Sequence, residues 1–258
     1  MTNSLQNNEF DAAVPGSATS VDGKRLALLI AQSGLCSRRA ASRLITAGRV
    51  SVNGQPASHT LHLSDASTIC VDGKPLPTPA KLSYYLYHKP VGIDCNIRPE
   101  DPASIAAVLR DLPARLYPVG RLDKDSRGLL LLTNDGALTQ RLLHPGAKQA
   151  KTYWVEVDKP LRADLSARFA AGISWQVGPH GYQAQPCQAR PLGTSQFEVI
   201  LYEGQNRQIR YMCRELGYRV QDLCRVAIDT IQLGELPSGA IRSLSQTELI
   251  ALTSLILK

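Results

Sequence analysis

Apolar residues recur at helical spacing near the N-terminus of the chain. Leu26, Leu29 and Ile30 share one face of a predicted first helix, which Gly34 can terminate. Ser37 can cap a second helix directly after it. The apolar positions of this second helix are Ala41, Leu44 and Ile45. The pattern therefore predicts a small unit that begins with two short helices.

Alternating apolar and polar residues follow the two helices and predict short strands. Val50 and Val52 lead into Asn53 and Gly54, a strong signal for a hairpin turn. Three prolines between positions 75 and 79 then indicate a semi-rigid linker. These patterns predict a polar, disordered tail at 1–21, a compact domain at 22–75, a linker at 76–83 and a second domain at 84–258.

Strand-like and helical segments alternate irregularly in the second domain. The leucine run at 129–132 has the composition of a buried strand. Further strands are predicted at 85–87, 151–157 and 197–202, and helices at 137–143, 162–171 and 206–216. Ser245 and Glu248 form a capping box before a last helix. Hairpin turns and irregular spacing favour an α+β fold with mixed sheets over a regular βαβ repeat.

Positive charge is concentrated in the first domain. The 258 residues carry a formal net charge of +7, which favours a polyanionic partner. Residues 22–60 contain six Lys or Arg against one Asp, a net charge of +5. Arg38, Arg39 and Arg43 belong to this cluster, and the last two project together from the second helix. They form either a solvated basic face or a face that contacts phosphates.

The cysteines give no indication of a metal site. Six cysteines are spread along the chain without a C-x-x-C pair and without metal-ligand spacing to the five histidines. This distribution favours reduced thiols in a cytoplasmic protein. The chain has no apolar signal core, no run of about 18 apolar residues and no glycine-rich phosphate loop. We therefore expect a cytoplasmic protein without a metal, a nucleotide cofactor or a membrane contact.

A charged cluster precedes the leucine run. Asp123 lies between Arg121 and Lys124, at the mouth of the predicted strand. A carboxylate surrounded by cations stays ionised, so Asp123 suits nucleophilic attack or proton abstraction. A solvated turn has the same composition, and both interpretations stay open on these residues alone.

The predicted helix at 206–216 has two distinct faces. Its apolar residues form one stripe, whereas Arg207 and Arg210 lie on another face. The N-terminus of a helix attracts anions. An arginine there can pair with Asp123 or bind a phosphate.

Lys151 and Tyr153 alternate onto one face of a predicted strand. A tyrosine in a strand is commonly a core residue whose hydroxyl is hydrogen-bonded. The alternative is a ring that stacks on a nucleobase while its hydroxyl exchanges a proton.

Four motifs, in this order, resemble those of the RsuA-like pseudouridine synthases. They are Lys-Pro-Val-Gly at 89–92, Gly-Arg-Leu-Asp at 120–123, Lys-Thr-Tyr at 151–153 and Gly-Gln-Asn-Arg-Gln-Ile-Arg at 204–210. Residues 22–62 resemble an S4 RNA-binding domain, which commonly precedes this catalytic domain. Within the family, residues 157–160 and 207–210 are similar to the large-subunit ribosomal branch. Tyr211 departs from that branch, which often has another arginine there.

The resemblance implies a reaction and a substrate class. The reaction is the isomerisation of uridine to pseudouridine in structured RNA, with 23S ribosomal RNA as the expected substrate and transfer RNA as a further one. It also implies a mixed or antiparallel sheet in the catalytic domain and a reaction that uses no cofactor and no metal. We expect the protein to be a monomer.

The motifs also imply roles for individual residues. Asp123 matches the catalytic aspartate, which either attacks covalently or removes a sugar proton. Arg210 matches the arginine that pairs with this aspartate. Tyr153 matches the tyrosine that stacks on the target base and helps to remove its C5 proton, and Arg121 matches the residue that fills the space of the flipped nucleotide. The further expected RNA contacts are Lys151, Arg207, Arg38, Arg39 and Arg43.

Two other functions are compatible with parts of this pattern. The first is a non-catalytic RNA-binding or ribosome-assembly protein with the same fold, which would not need Asp123, Tyr153 and Arg210 together. The second is a hydrolase that uses Asp123 and Asp125 as a carboxylate pair. The neighbouring cations would keep both carboxylates ionised and leave no acid.

Overall fold

The computed structural model describes residues 25–59, 61, 63 and 67–254. The predicted disordered tail at 1–21 lies outside the described residues. The chain divides into two compact units, Met1–Thr78 and Pro79–Lys258. No helix in the described part of the chain is long and apolar enough to cross a membrane.

The first unit combines two helices and a small antiparallel sheet around one apolar core. Its elements are α1 (Leu26–Gln32), α2 (Arg38–Thr46), β1 (Val50–Val52), β2 (Gln55–Pro56), β3 (Ile69–Val71) and β4 (Lys74–Pro75). The strand order is β2-β1-β3-β4. The Ser37 hydroxyl accepts a hydrogen bond from the Ala40 N–H, which confirms the predicted cap of α2. Asn53 and Gly54 have φ of 51° and 80°, as the predicted hairpin turn requires.

The second unit contains the remaining elements. They are β5 (Tyr84–Lys89), α3 (Ala106–Arg110), β6 (Tyr117–Pro118), β7 (Arg127–Thr133), α4 (Gly136–Leu143), a 3₁₀ turn (Pro145–Ala147), β8 (Lys151–Val157), α5 (Leu165–Ala171), β9 (Ser174–Val177), β10 (His180–Gln183), β11 (Gln188–Pro191), β12 (Gln196–Leu201), α6 (Gln208–Glu215), β13 (Val220–Ile228), β14 (Ile231–Gln232), β15 (Ile241–Ser243) and α7 (Gln246–Ser254).

A mixed sheet forms the centre of the second unit. Its strand order is β11-β12-β8-β13-β7-β5-β15, with β14 paired to β13 and β6 paired to β7. Strands β13 and β7 run parallel, whereas β8 is antiparallel to both of its neighbours. Strands β9 and β10 form a separate hairpin. The predicted α+β fold with a mixed sheet is therefore confirmed.

The leucine run of β7 is buried on both faces. Leu129 and Leu131 belong to the apolar cluster that includes α4, while Leu130 and Leu132 belong to the cluster that includes α3. A strand covered on both faces is apolar at every position, which explains the unbroken run. The predicted buried strand is confirmed, and the charged loop at 120–126 precedes its first residue.

The helix predicted at 206–216 is shorter than expected. Arg207 has a left-handed backbone conformation with φ of 53°, so α6 begins at Gln208. Several elements were not predicted, among them α3, β9, β10, β13 and β15. These elements are short, half-exposed or interrupted by charged residues, so their apolar pattern is weak.

Glu248→Gln is expected to lower the free energy of unfolding of the second unit by about 1 kcal/mol at pH 7. Glu248 accepts hydrogen bonds from the Arg242 guanidinium at 2.6 and 2.7 Å and from the Ser245 N–H at 2.8 Å, which confirms the predicted capping box. The hydrogen bonds from Arg242, followed by those from Ser245, lower the pKa of Glu248 to about 2.

Because the folded-state pKa lies below the ordinary value, this stabilisation is present above about pH 4.5 and is lost as the pH falls towards 2. Urea titrations of the variant and of wild type at several pH values measure the difference. Glu235→Gln, at an exposed carboxylate, removes the same charge and serves as the control. A difference that persists unchanged at pH 2 would contradict the assignment.

Candidate active site

A tight loop carries Asp123 to the start of β7. The Leu122 side chain is buried, and its N–H donates to the Cys95 sulfur at 3.4 Å. The Ser126 N–H donates to the Asp123 carbonyl at 3.0 Å and closes the turn. The Asp123 side chain is half-buried and lines a cleft. No hydrogen bond or ion pair holds its carboxylate within the described part of the chain.

A buried lysine supports this loop from below. Lys89 is completely buried, and its ammonium group donates to the carbonyls of Pro90 and Ile93 at 2.9 and 2.8 Å. Burial lowers the pKa of Lys89, against the opposing effects of Cys95 and Asp123. The Gly92 N–H donates to the Lys124 carbonyl at 2.7 Å. The Lys-Pro-Val-Gly segment therefore fixes the backbone of the loop beside Asp123.

Two arginines bind Asp125, the second carboxylate of the loop. The Arg207 guanidinium donates to both carboxylate oxygens, at 3.0 and 2.7 Å. Arg210 Nε lies 3.4 Å from Asp125 Oδ2, and Arg210 Nη2 donates to the Asp125 carbonyl at 2.7 Å. Burial alone would raise the pKa of Asp125, but the Arg207 hydrogen bonds and the two positive charges lower it. Asp125 is therefore an ionised structural partner and is not available as an acid.

Strand β8 contributes the opposite side of the cleft. Lys151 and Tyr153 both line it, as their shared face predicts. The Lys151 ammonium donates to the Gln149 carbonyl at 3.2 Å. Burial lowers the pKa of Lys151, and the nearby charge of Arg225 lowers it further. Tyr153 is half-buried between two apolar clusters, and its hydroxyl forms no hydrogen bond with the described residues.

The cleft has a volume of about 820 Å³, which is enough for a nucleotide. The segment before α6 forms its third side, with Glu203, Gln205 and Arg207. Around Asp123, the cleft combines an unpaired carboxylate, an aromatic ring and several cations. This arrangement can hold a flat base and act on the sugar attached to it. Within the described residues, no group of His, Cys, Asp and Glu side chains is placed to hold a metal ion.

Comparison with known proteins assigns the second unit to one family. A family model described as RNA pseudouridylate synthase matches residues 83–215, and an S4 domain model matches residues 24–60. Over 234 residues the chain is 37% identical to the dual-specificity RNA pseudouridine synthase RluF of Escherichia coli, covering 90% of this chain and 79% of that protein.

Two further relatives are also pseudouridine synthases. An uncharacterized RNA pseudouridine synthase of Aquifex aeolicus is 33% identical over 237 residues, covering 88% of this chain and 93% of that protein. A crystal structure of a pseudouridylate synthase gives a TM-score of 0.64 at 29% identity, covering 88% of this chain and 99% of that chain.

The chain belongs to the RNA pseudouridylate synthase family. The predicted family resemblance is confirmed, and RluF is among the relatives, in agreement with the predicted branch. The protein is therefore an isomerase that converts uridine to pseudouridine in RNA, and the non-catalytic alternative is not favoured.

The cleft of this pseudouridine synthase brings together only some of the predicted site residues. Those that line it are Arg121, Asp123, Lys151, Tyr153 and Arg207. Arg210 lines a neighbouring concavity instead. Arg210 forms its ion pair with Asp125 rather than with Asp123 in this structure, because the turn at 123–126 directs Asp125 towards α6 and leaves the Asp123 carboxylate in the cleft. The predicted pairing of Arg210 with Asp123 stays a prediction. Arg38, Arg39 and Arg43 are exposed on α2 of the first unit.

The sequence patterns missed Arg225, a residue of the cleft floor. Arg225 is 3% exposed, and its Nε donates to the Leu129 carbonyl at 2.8 Å. One signal could have revealed it: an arginine within the otherwise apolar run at 223–228. Burying a charged side chain at such a position costs free energy unless the charge is paired or takes part in binding or catalysis.

Gly128→Ala is expected to lower the free energy of unfolding by about 3 kcal/mol. Gly128 has φ of 111°, and a Cβ at this position would lie 2.3 Å from the Arg225 carbonyl oxygen and 2.6 Å from its nitrogen. Strands β7 and β13 pair here, with Gly128 opposite Arg225. The variant must therefore separate the two strands behind the cleft.

Urea titration measures this loss, with Gly181→Ala as the matched control. Gly181 also lies in a strand, but a Cβ there meets nothing within 4 Å and its φ is not positive. A Gly128→Ala variant as stable as the Gly181→Ala variant would contradict the close approach.

Proposed function

We propose that this pseudouridine synthase isomerises a uridine of structured RNA in the cleft around Asp123, with 23S ribosomal RNA as its main substrate. The observation that carries the assignment of the site is the Asp123 carboxylate, half-buried in the cleft without a partner among the described residues. A carboxylate left unpaired beside cations is free to react with substrate.

Asp123 acts on the ribose of a uridine that has left the RNA stack. The glycosidic carbon is inaccessible inside a stacked helix, so the nucleotide must first turn into the cleft. Asp123 then either attacks C1′ or removes the C2′ proton while the C1′–N1 bond breaks. The uracil turns over and C5 bonds to C1′. In the first route the Asp123–C1′ bond breaks at this step, and in the second route Asp123 returns its proton to C2′. The C5 proton is then lost as N1 gains one. Atoms balance without an oxidant or a co-reactant.

Tyr153 contacts the target base, and Arg121 fills the space that the base leaves in the RNA stack. The Tyr153 ring stacks on the uracil, and its hydroxyl relays the C5 proton by accepting it while it passes its own proton to solvent. Arg121 is exposed at the cleft rim, with Nη1 at 3.4 Å from Asn96 Oδ1. This contact is long for a hydrogen bond, so the side chain is free to enter the stack in place of the flipped nucleotide.

Arg210 acts through the loop. Its contacts to the carbonyl and carboxylate of Asp125 and to the Ser126 hydroxyl, at 3.3 Å, tie α6 to the turn that presents Asp123. Arg210 is therefore a positioning residue in this proposal. The concavity beside it, about 520 Å³, is also lined by Arg207, Arg214 and Arg219. These cations suit the phosphates that flank the target nucleotide.

The S4 domain supplies affinity through α2. Substituting Arg38, Arg39 and Arg43 together by Gln is expected to weaken RNA binding and to reduce its salt dependence, by about 0.7–0.9 in log–log slope for each lost phosphate contact. All three are exposed, and none pairs with a carboxylate in the described part of the chain. By contrast, Arg49 pairs with Asp72 at 2.6 Å.

Binding titrations at several salt concentrations measure this slope. Arg168→Gln, at an exposed arginine of α5, is the control for a change of net charge. An unchanged slope in the triple variant would overturn the proposed role of α2.

The choice of RNA is tested in cells. We propose ribosomal RNA first and transfer RNA second; the relative RluF carries the description "dual-specificity". We also propose that the enzyme works as a monomer in the cytoplasm. Pseudouridine is mapped position by position in cells with and without the protein. We expect one site in 23S ribosomal RNA to be missing from the cells without it. Loss of sites in transfer RNA alone would contradict the proposed main substrate.

A further inference from the structure

Arg225 is a buried cation without a counter-ion. Its Nε donates to the Leu129 carbonyl at 2.8 Å, but Nη2 is buried with no hydrogen-bond partner. No carboxylate forms an ion pair with it in the described residues. Removing a guanidinium from water without compensation costs several kcal/mol. A residue that destabilises the free enzyme in this way is expected to gain its partner from a bound ligand.

The position of Arg225 limits what that ligand can be. Arg225 lines the cleft and lies opposite Tyr153 in the pairing of β13 with β8, so both side chains share the cleft face. Lys151, two residues before Tyr153, adds a second cation to this floor. The Glu203 carboxylate, which also lines the cleft, forms no ion pair with Arg225 among the described residues. Its Oε1 accepts from Gln208 Nε2 at 2.6 Å and from the Gln185 N–H at 3.0 Å.

The cations of the cleft lie at two depths, at its rim and at its floor. The cations that phosphates can reach lie at the exposed rim, among them Arg121, Lys124 and Arg207. A nucleotide that turns out of a helix enters a cleft with its base first, so the floor meets the base. A base that enters in this way reaches Arg225 with one of its edges.

We propose that Arg225 donates to a uracil carbonyl oxygen and stabilises the negative charge that forms on the base when it is detached. This inference rests on the proposed role of the cleft. When the C1′–N1 bond breaks, its electron pair goes to the uracil ring, which becomes an anion with charge on N1 and on the carbonyl oxygens. The electron deficiency at C1′ is met by Asp123 through either of its two routes. The same pair then forms the C1′–C5 bond.

A fixed cation in a site that excludes water is effective for such a step, because it needs no reorganisation as the charge develops. The floor of the cleft is therefore complementary to the detached base rather than to the neutral uridine.

Arg225→Met tests the proposal, because methionine fills similar space without charge. At saturating RNA, the single-turnover rate is expected to fall by about 10²–10³-fold, the usual effect of losing one such donor. The dissociation constant for RNA is expected to change by less than about threefold, since Arg225 does not reach a phosphate. Arg225→Lys restores a cation and is expected to recover part of the rate. Arg168→Met is the control for loss of a surface charge.

A second substrate separates charge stabilisation from a structural defect. Fluorine at C5 withdraws electrons and stabilises the detached base by itself. The measured quantity is the rate at which the nucleoside at the target position loses its C1′–N1 bond. With 5-fluorouridine at that position, we expect Arg225→Met to slow this rate much less than it does with uridine. A misfolded cleft would slow both substrates equally.

Three results would overturn the proposal. The first is a wild-type single-turnover rate in Arg225→Met. The second is a loss of RNA affinity with an unchanged rate at saturation, which would assign Arg225 to a phosphate. The third is an equal loss of rate for uridine and 5-fluorouridine. If wild type forms no pseudouridine, the proposed function itself fails and the inference with it. Product from wild type together with any of the three results overturns the role of Arg225 alone.

Discussion

Asp123→Asn is expected to abolish pseudouridine formation, with a loss of about 10⁴-fold or more in the single-turnover rate, as for the removal of a reacting group. An amide neither attacks a sugar carbon nor accepts its proton. The Asp123 carboxylate forms no hydrogen bond or ion pair within the described residues, so the substitution breaks no contact that supports the fold. Stability and RNA affinity are therefore expected to stay near their wild-type values.

Asp125→Asn is the matched control for this prediction. It makes the same chemical change two residues away, but it weakens the ion pairs to Arg207 and Arg210. We expect a less stable loop and a partial loss of rate. Substantial product from purified Asp123→Asn, or a complete loss confined to Asp125→Asn, would contradict the assignment of the reacting carboxylate.

Tyr153→Phe is expected to keep most of the RNA affinity and to lose most of the activity, whereas Tyr153→Leu loses both. A phenyl ring retains stacking, worth roughly 1–3 kcal/mol per base, but cannot relay a proton. Leucine has no flat face. The hydroxyl of Tyr153 has no hydrogen-bond partner among the described residues, so Tyr153→Phe breaks no such bond in the free enzyme.

Binding and single-turnover product formation are measured together for both variants. Tyr182→Phe, on the exposed hairpin of β9 and β10, is the control for removal of a hydroxyl. A wild-type rate for Tyr153→Phe would show that the hydroxyl transfers no proton and would return Tyr153 to a packing role.

The sequence was sufficient to predict the strand, the loop and the shared strand face that form the site around Asp123. The leucine run identified β7 because both of its faces are covered, and the charged cluster before it identified the loop that carries Asp123. Alternation in a strand placed Lys151 and Tyr153 on one face. Each of these features depends on residues within one turn or one strand.

The features that failed depend on contacts between distant segments. Arg207 and Asp125 are 82 positions apart, and the direction of the 123–126 turn decides which carboxylate the arginines meet. Helical periodicity could not foresee that Arg207 adopts a left-handed conformation before α6. The close approach of Gly128 to Arg225 depends on the parallel pairing of β7 with β13, which the apolar pattern does not encode.

Incubation of structured 23S ribosomal RNA with the purified protein tests the central claim most directly. After digestion to nucleosides, chromatography with mass detection separates uridine from an isomer of the same mass. We predict that wild type produces this isomer and that Asp123→Asn, bound to the same RNA, produces none. Free uracil, which would indicate hydrolysis, or an equal yield of the isomer from Asp123→Asn would contradict the account.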